Sequence, residues 1–321
     1  MPLVVGSMEV PHTKVAEVGR PGDRYNGFKP GSTLLRAGHR KTPQDLAFAV
    51  DTIFDRDIPV PTRDGTILRA DVYRPVGDDK VPAILAYTPY GKSGAGMIGL
   101  HSMAGHGGIP RARLSGYECF EGPDPAYWTQ FGYAVVQVTS RGIFDSQGSV
   151  RIMGAGEGQD GADAVEHVAQ LPWCTGSVGT MGNSWLAMVQ YHIAAQQPSH
   201  LKCMAPLEGA SDFYSETLCR GGVPAPAFFG AIASIFSGRG EIEDPSKVMT
   251  EQPGWNEYWA DKRADFSKVK TPCYGLASYS TNLHTEGSFR CFEEAAGPKW
   301  YALFSCFSLL LSHSSITLEG S

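Results

Sequence analysis

The constraint that most limits what this chain can fold into is an alternation of short β-rich runs with helix-like stretches between residues 81 and 209. VPAILAYTPYGK (81–92) and GYAVVQVTSRG (132–142) are continuous β-branched and aromatic runs that stop at glycine, the pattern of strands buried on both faces of a parallel sheet. GADAVEHVAQL (161–171) then sets Ala162, Val165 and Ala169 on one stripe, as a crossover helix does. SVGTMGNS (177–184) reads as a strand, WLAMVQYHIAA (185–195) as a helix and LKCMAPLEG (201–209) as the next strand. This alternation predicts an α/β fold with a mostly parallel sheet and helices on both faces.

Two alternating runs around Arg63-Asp64-Gly65, in IFDRDIPVPTRDGTILRADVYRP, predict a β-hairpin with a tight turn ahead of that sheet. Downstream, TPCYGLASYS (271–280) reads as a strand and GSFRCFEEAAG (287–297) as a helix with Gly297 as its C-cap. Residues 46–211 and 269–303 therefore form the expected core. Residues 212–268 break the rhythm and read as a mainly helical cap insertion over a pocket. Residues 1–45 read as an N-terminal extended arm or a pair of short helices, and 304–321 as a tail of different composition.

A chain of 321 residues with 42% hydrophobic content has enough apolar surface for one large core. Its formal charge of −6, without any block of like charges, argues against nucleic acid or an anionic membrane as partner. The seven cysteines form no CxxC pair, so neither a zinc site nor a disulfide framework is expected. No secretory leader is read at the N-terminus, which makes the cytoplasm the default compartment. YALFSCFSLLL (301–311) falls short of the ~20 residues that cross a bilayer. A small organic substrate fits these properties; oligomeric state is open.

Within GTMGNSWLAM (179–188), Ser184 stands where a buried strand gives way to a helix. A serine at that corner is raised above the sheet, and the sharp turn demands small neighbours. Gly182 supplies one, whereas the second glycine, two residues after the serine, is replaced by Leu186. The helix N-terminus directs free N–H groups and partial positive charge at the same point, which stabilises a developing oxyanion. Ser184 is thus a candidate nucleophile, the alternative being a small residue that fills the corner.

Several segments in order, SGYECFEGPDPAYWTQFGYAVVQVTSRGIFDSQGSVR, EGQDGADAVEHVAQLPWCTGSVGTMGNSWLA and APLEGASDFYSETLCRGGV, resemble the X-Pro dipeptidyl-peptidase-like, cocaine-esterase-like α/β-hydrolases. The resemblance covers about residues 50–300 and rests on Pro-Tyr-Gly, Arg-Gly followed by Ser-x-Gly, Gln170-Leu171-Pro172-Trp173 and Gly-x-Ser-aromatic. It implies an α/β-hydrolase fold and a serine hydrolase that cleaves an ester or amide acyl bond through an acyl-enzyme, without metal or cofactor. It further implies that the Tyr90 hydroxyl and the backbone N–H of Trp185 form the oxyanion hole.

The resemblance also implies an acid a few residues beyond PCYGLASYS and a histidine after the last strand. Here the first stretch reads Ser280-Thr281-Asn282-Leu283-His284, without aspartate, and Phe304 occupies the position of the histidine. Asn282, Glu286 and Asp212 are the candidates for the missing acid, and His313 for the missing base. The family carries a C-terminal jelly-roll domain, for which the residues after Trp300 are too few, since a β-sandwich takes about 100 residues. The expectation is a truncated product with an altered tail. Two functions follow: an acyl hydrolase, or a catalytically impaired homologue that keeps only ligand or partner binding.

Other constellations read as structural. His101 and His106 lack further ligands for a metal. Asp160 and Asp163 read as caps opening the crossover helix, and GEGQDG lacks the strand and lysine of a phosphate loop.

Overall fold

In a computed structural model, which describes residues 4–304, nine strands form one sheet. In chain order they are β1 (Gly31–Leu35), β2 (Thr52–Pro61), β3 (Ile67–Pro75), β4 (Val81–Thr88), β5 (Ala134–Thr139), β6 (Cys174–Asn183), β7 (Leu201–Leu207), β8 (Cys273–Ser278) and β9 (Lys299–Phe304). Their spatial order is β9-β8-β7-β6-β4-β5-β3-β2-β1. From β5 through β4, β6, β7 and β8 to β9 every pairing is parallel; β3, β2 and β1 join antiparallel at the other edge. This is the α/β-hydrolase fold.

The expected hairpin is β2–β3. Its turn closes by a Thr62 N–H donating to Thr66 O at 2.9 Å, and Gly65 takes φ 84°, a conformation that excludes most side chains. β5 is buried along its whole length, as its unbroken AVVQVT run requires.

Among the described residues, seven α-helices accompany the sheet: α1 (Pro125–Thr129), α2 (Gly154–Ala169), α3 (Trp185–Ala195), α4 (Pro226–Ala233), α5 (Pro245–Glu251), α6 (Glu257–Asp261) and α7 (Thr285–Glu294). α2 starts well before the expected position, because its glycines serve helix packing. A Cβ at Gly158 would lie 2.5 Å from His192 O, and one at Gly161 would lie 2.4 Å from Ile193 Cδ1, both on α3. The glycines that hide the helical signal in the sequence are what let α2 and α3 approach.

This corrects the capping role expected for Asp160 and Asp163. Both lie inside α2: Asp160 is buried in a two-pronged pair with Arg141 (2.7 and 2.6 Å), and Asp163 binds Arg63 at 2.8 Å across to the hairpin turn. Gly297 is likewise not a C-cap. α7 ends at Glu294, Ala295 is already extended (φ −62°, ψ 132°), and Gly297 packs where a Cβ would meet Lys270 O at 2.4 Å.

The N-terminal segment runs extended. His12–Lys14 pairs antiparallel with Glu241–Glu243, Ala16–Glu17 pairs parallel with Ser237–Gly238, and β1 forms the sheet edge. Residues 212–268 hold a π-type turn at Phe213–Leu218 and helices α4–α6, sealed by the fully buried Tyr258 and Trp259. Among the described residues, no helix is long and apolar enough to cross a membrane.

Candidate active site

Ser184 sits between the end of β6 and the start of α3 with φ 53° and ψ −117°. A β-carbon residue held there is strained, at a cost of about 1–3 kcal/mol, and the surroundings hold it in place. The Ser184 N–H donates to Glu208 O at 2.9 Å, and the preceding Asn183 N–H donates to Glu121 O at 2.9 Å. Glu121 and Glu208 are themselves at φ 64° and 63°, so two bent loops grip the corner from either side.

The departure from the usual glycine pattern has a steric account. Leu186 fills the space over Gly182, where a Cβ would stand 2.4 Å from the Leu186 Cβ, and its Cδ2 also approaches Gly122. Leucine is accommodated because both facing positions are glycine.

Tyr90 follows β4 and is buried, with its ring edge-on to Phe120 at 5.2 Å and 6.1 Å from Phe236. Its hydroxyl is in hydrogen-bonding reach of the Ser184 and Glu121 side chains, and burial raises the phenol well above its ordinary 10, so it stays protonated. Lys92 anchors the loop behind it, binding Asp71 at 2.6 Å and also Asp57. Trp185 opens α3. The N–H groups of Ala187 and Met188 turn back to Ser184 O (2.9 Å each), whereas among the described residues that of Trp185 has no backbone acceptor, as first-turn amides do not. Its indole packs edge-on to Phe236 at 5.3 Å. Ser184, Tyr90 and Trp185 thus come together at one end of the parallel strands.

A fourth residue joins them that sequence reasoning passed over. His284, the residue before α7, places Nε2 3.1 Å from Ser184 Oγ. The imidazole is buried, and desolvation together with the Arg220 charge pulls it down from 6.5 to about 4, so at neutral pH it is an uncharged proton acceptor. Nδ1 is buried and has no hydrogen-bond partner among the described residues. The signal lies in Leu283-His284, a few residues after the core strand β8, whereas the resemblance places the histidine beyond the last strand.

None of the candidate acids inside the described region supports that imidazole. Asp212 instead caps the turn at 213–218, accepting from Tyr214 N and Ser215 N at 3.1 and 3.0 Å. Glu286 is exposed and pairs with Arg290 at 3.0 Å. Asn282 takes φ 59° and its backbone oxygen is held by Arg220. His313 lies outside the described residues. The buried carboxyls that do face Ser184 are different ones. Glu121 is in hydrogen-bonding reach of Ser184 and Tyr90, and burial raises it well above the usual carboxylate range. Glu208 lies close enough to reinforce that rise by charge, and receives Thr281 Oγ1 at 3.4 Å. His101 faces Glu118 at 3.4 Å, while His106 bonds Leu100 O at 3.1 Å. Among the described residues no group of His, Cys, Asp and Glu could hold a metal ion.

Residues 64–247 match the X-Pro dipeptidyl-peptidase (S15) family. The chain is 30% identical over 162 residues to cocaine esterase of Rhodococcus sp., an alignment that covers 49% of this chain and 24% of that protein. Among solved structures, a CocE/NonD family hydrolase from Staphylococcus aureus superposes with a TM-score of 0.76 at 29% identity, covering 94% of this chain and 53% of that one. An α-amino acid ester hydrolase matches at TM-score 0.54 and 17% identity over 82% of this chain and 49% of that one, a likeness of fold. The chain thus spans about a quarter of the length of the first relative and about half of these structures.

Proposed function

We propose that this chain, which belongs to the X-Pro dipeptidyl-peptidase (S15) family of hydrolases, cleaves acyl bonds with Ser184 as nucleophile and His284 as its base. The observation that carries the reading is the 3.1 Å approach of His284 Nε2 to Ser184 Oγ at a strained strand-to-helix corner. A serine hydroxyl attacks only as a base removes its proton. In this reading the Ser184 oxygen adds to the substrate carbonyl carbon while its proton passes to Nε2. The carbonyl oxygen, now negative, is met by the Tyr90 hydroxyl and the Trp185 N–H, and one such donor contributes ~2.7–4 kcal/mol. Collapse expels the leaving group, which takes the proton from Nε2; water then releases the acid by the same route. Phe120, Phe236 and Trp185 would give the acyl group an apolar wall. An ester is favoured over an amide, whose leaving group asks more of the general acid.

Nδ1, which has no hydrogen-bond partner among the described residues, favours a second reading in degree. Without an acceptor there, the tautomer that points a proton from Nε2 at Ser184 competes with the productive one. In a serine triad, replacing the orienting carboxylate in this way lowers turnover by ~10⁴. The expected activity is therefore weak, and an impaired homologue that binds its ligand is the limiting case. A fluorophosphonate probe tests the proposal: stoichiometric labelling at Ser184, abolished in Ser184→Ala, supports it, and absence of labelling after long exposure supports the inert reading.

A further inference from the structure

Glu121 is the buried titratable group at this site that the reaction as written leaves without a task. It is 5% exposed, and its backbone oxygen holds Asn183, the residue before the nucleophile, at 2.9 Å. Its carboxyl is in hydrogen-bonding reach of Tyr90 and Ser184, the oxyanion phenol and the attacking hydroxyl. Its Oε2 is buried and has no hydrogen-bond partner among the described residues.

The ionised and neutral forms of this carboxyl have opposite effects. As a carboxylate it would hold the Tyr90 proton more strongly than the carbonyl oxygen of the acid does, drawing that donor away from the substrate, and would set a negative charge beside the charge that develops on the carbonyl oxygen. As the acid it carries one proton that can be turned outward. The groups that face it favour the acid: the Glu208 carboxyl from the loop after β7 disfavours a second negative charge, as does burial, and the Tyr90 and Ser184 hydroxyls only partly offset them. Cys119, on its own loop, is a buried thiol held protonated. A neutral acid whose proton lacks an acceptor at rest, and gains one when the oxyanion forms, stabilises the transition state more than the ground state.

From this arrangement, and resting on the hydrolase reading, we propose that Glu121 is a third oxyanion donor, its uncharged carboxyl turning the proton of its unpaired oxygen toward the substrate carbonyl oxygen as Ser184 adds. The carboxyl keeps its proton throughout, and no bond to Glu121 forms or breaks.

The test uses the full chain and a fluorophosphonate, whose phosphoryl oxygen develops the same charge. Glu121→Gln retains an N–H donor of nearly the same shape, so labelling of Ser184 should stay within a few-fold of the wild type at neutral pH. Glu121→Leu removes the donor and should slow labelling by ~10²–10³. Wild-type labelling should fall on the alkaline side as Glu121 ionises, and the Glu121→Gln profile should lack that fall, which a residue that only packs would not produce. Glu121→Leu at the wild-type rate, or Glu121→Gln as slow as Glu121→Leu, overturns the proposal. Infrared difference spectroscopy reads the carboxyl without catalysis. A protonated-acid carbonyl band in Ser184→Ala at neutral pH, lost on alkaline titration and missing from the Ser184→Ala/Glu121→Gln double variant, supports it, since Glu118 and Glu157 are also buried carboxyls pushed up by desolvation; spectra of the two variants that do not differ in that band overturn it. If wild-type chain is not labelled yet the band is present, the hydrolase reading has failed and the state assigned to Glu121 has not.

Discussion

His284 Nε2 lies 3.1 Å from Ser184 Oγ across one hundred residues of sequence, where the connection from β8 to α7 meets the corner between β6 and α3. An imidazole at this distance can take the hydroxyl proton. Its Nδ1 has no partner among the described residues, so none of those residues supplies the orienting carboxylate that usually completes a serine triad.

Replacing His284 should therefore cost less than in a complete triad. Loss of the base removes ~10⁶ in turnover from an intact triad and loss of the acid ~10⁴, so His284→Ala should lower the rate of fluorophosphonate labelling by roughly 10² further. Labelling kinetics of the variant against the wild type check this, and an unchanged rate would move the base elsewhere.

Tyr90→Phe removes a hydroxyl but leaves the ring against Phe120 and Phe236. The expected result is a 10²–10³-fold slower acylation with a melting temperature close to that of the wild type. A large drop in melting temperature with little kinetic loss would mark Tyr90 as a packing residue.

The imidazole pulled down to about 4 sets the acid side of the pH profile. Labelling should hold down to about pH 5 and fall as His284 gains its proton near 4. Stability moves in the same window. A histidine at about 4 when folded and near its ordinary 6.5 when unfolded binds fewer protons in the native state, so stability is lost as pH falls from 6.5 toward 4. His192, also buried and at about 4, adds to the loss in the same direction. Each can contribute up to about 3 kcal/mol, which denaturant titrations at pH 7, 5.5 and 4.5 would measure.

Gly182→Ala places a methyl group 2.4 Å from Leu186 Cβ and should destabilise the chain by ~1–3 kcal/mol. Leu186→Gly in the same chain should relieve the overlap, so the double variant should be less destabilised than the sum of the single ones. Additive losses in a double-mutant cycle would show that the two positions do not press on each other.

Much of this architecture is written locally. The strand at 134–139 is legible because burial on both faces leaves an unbroken apolar run, and α3 because its helix begins where that of the serine corner must. Other features read wrongly from local rules. Glycines at 158 and 161 argue against a helix in isolation, yet they lie in α2 because α3 comes too close for a Cβ. Asp160 resembles a cap until the arginine that neutralises it, nineteen residues away, is in place.

By itself, then, the chain determined the alternation of strand and helix, the turn at Arg63–Gly65 and the corner that raises Ser184, since each depends on neighbours within a few residues. Only the tertiary structure decided which histidine meets that serine, and which carboxyls stand beside it. Glu121, Glu208 and His284 lie on loops that carry no periodic signal. They are brought to Ser184 by the order in which parallel strands stack, a property of long-range pairing that no local spacing records.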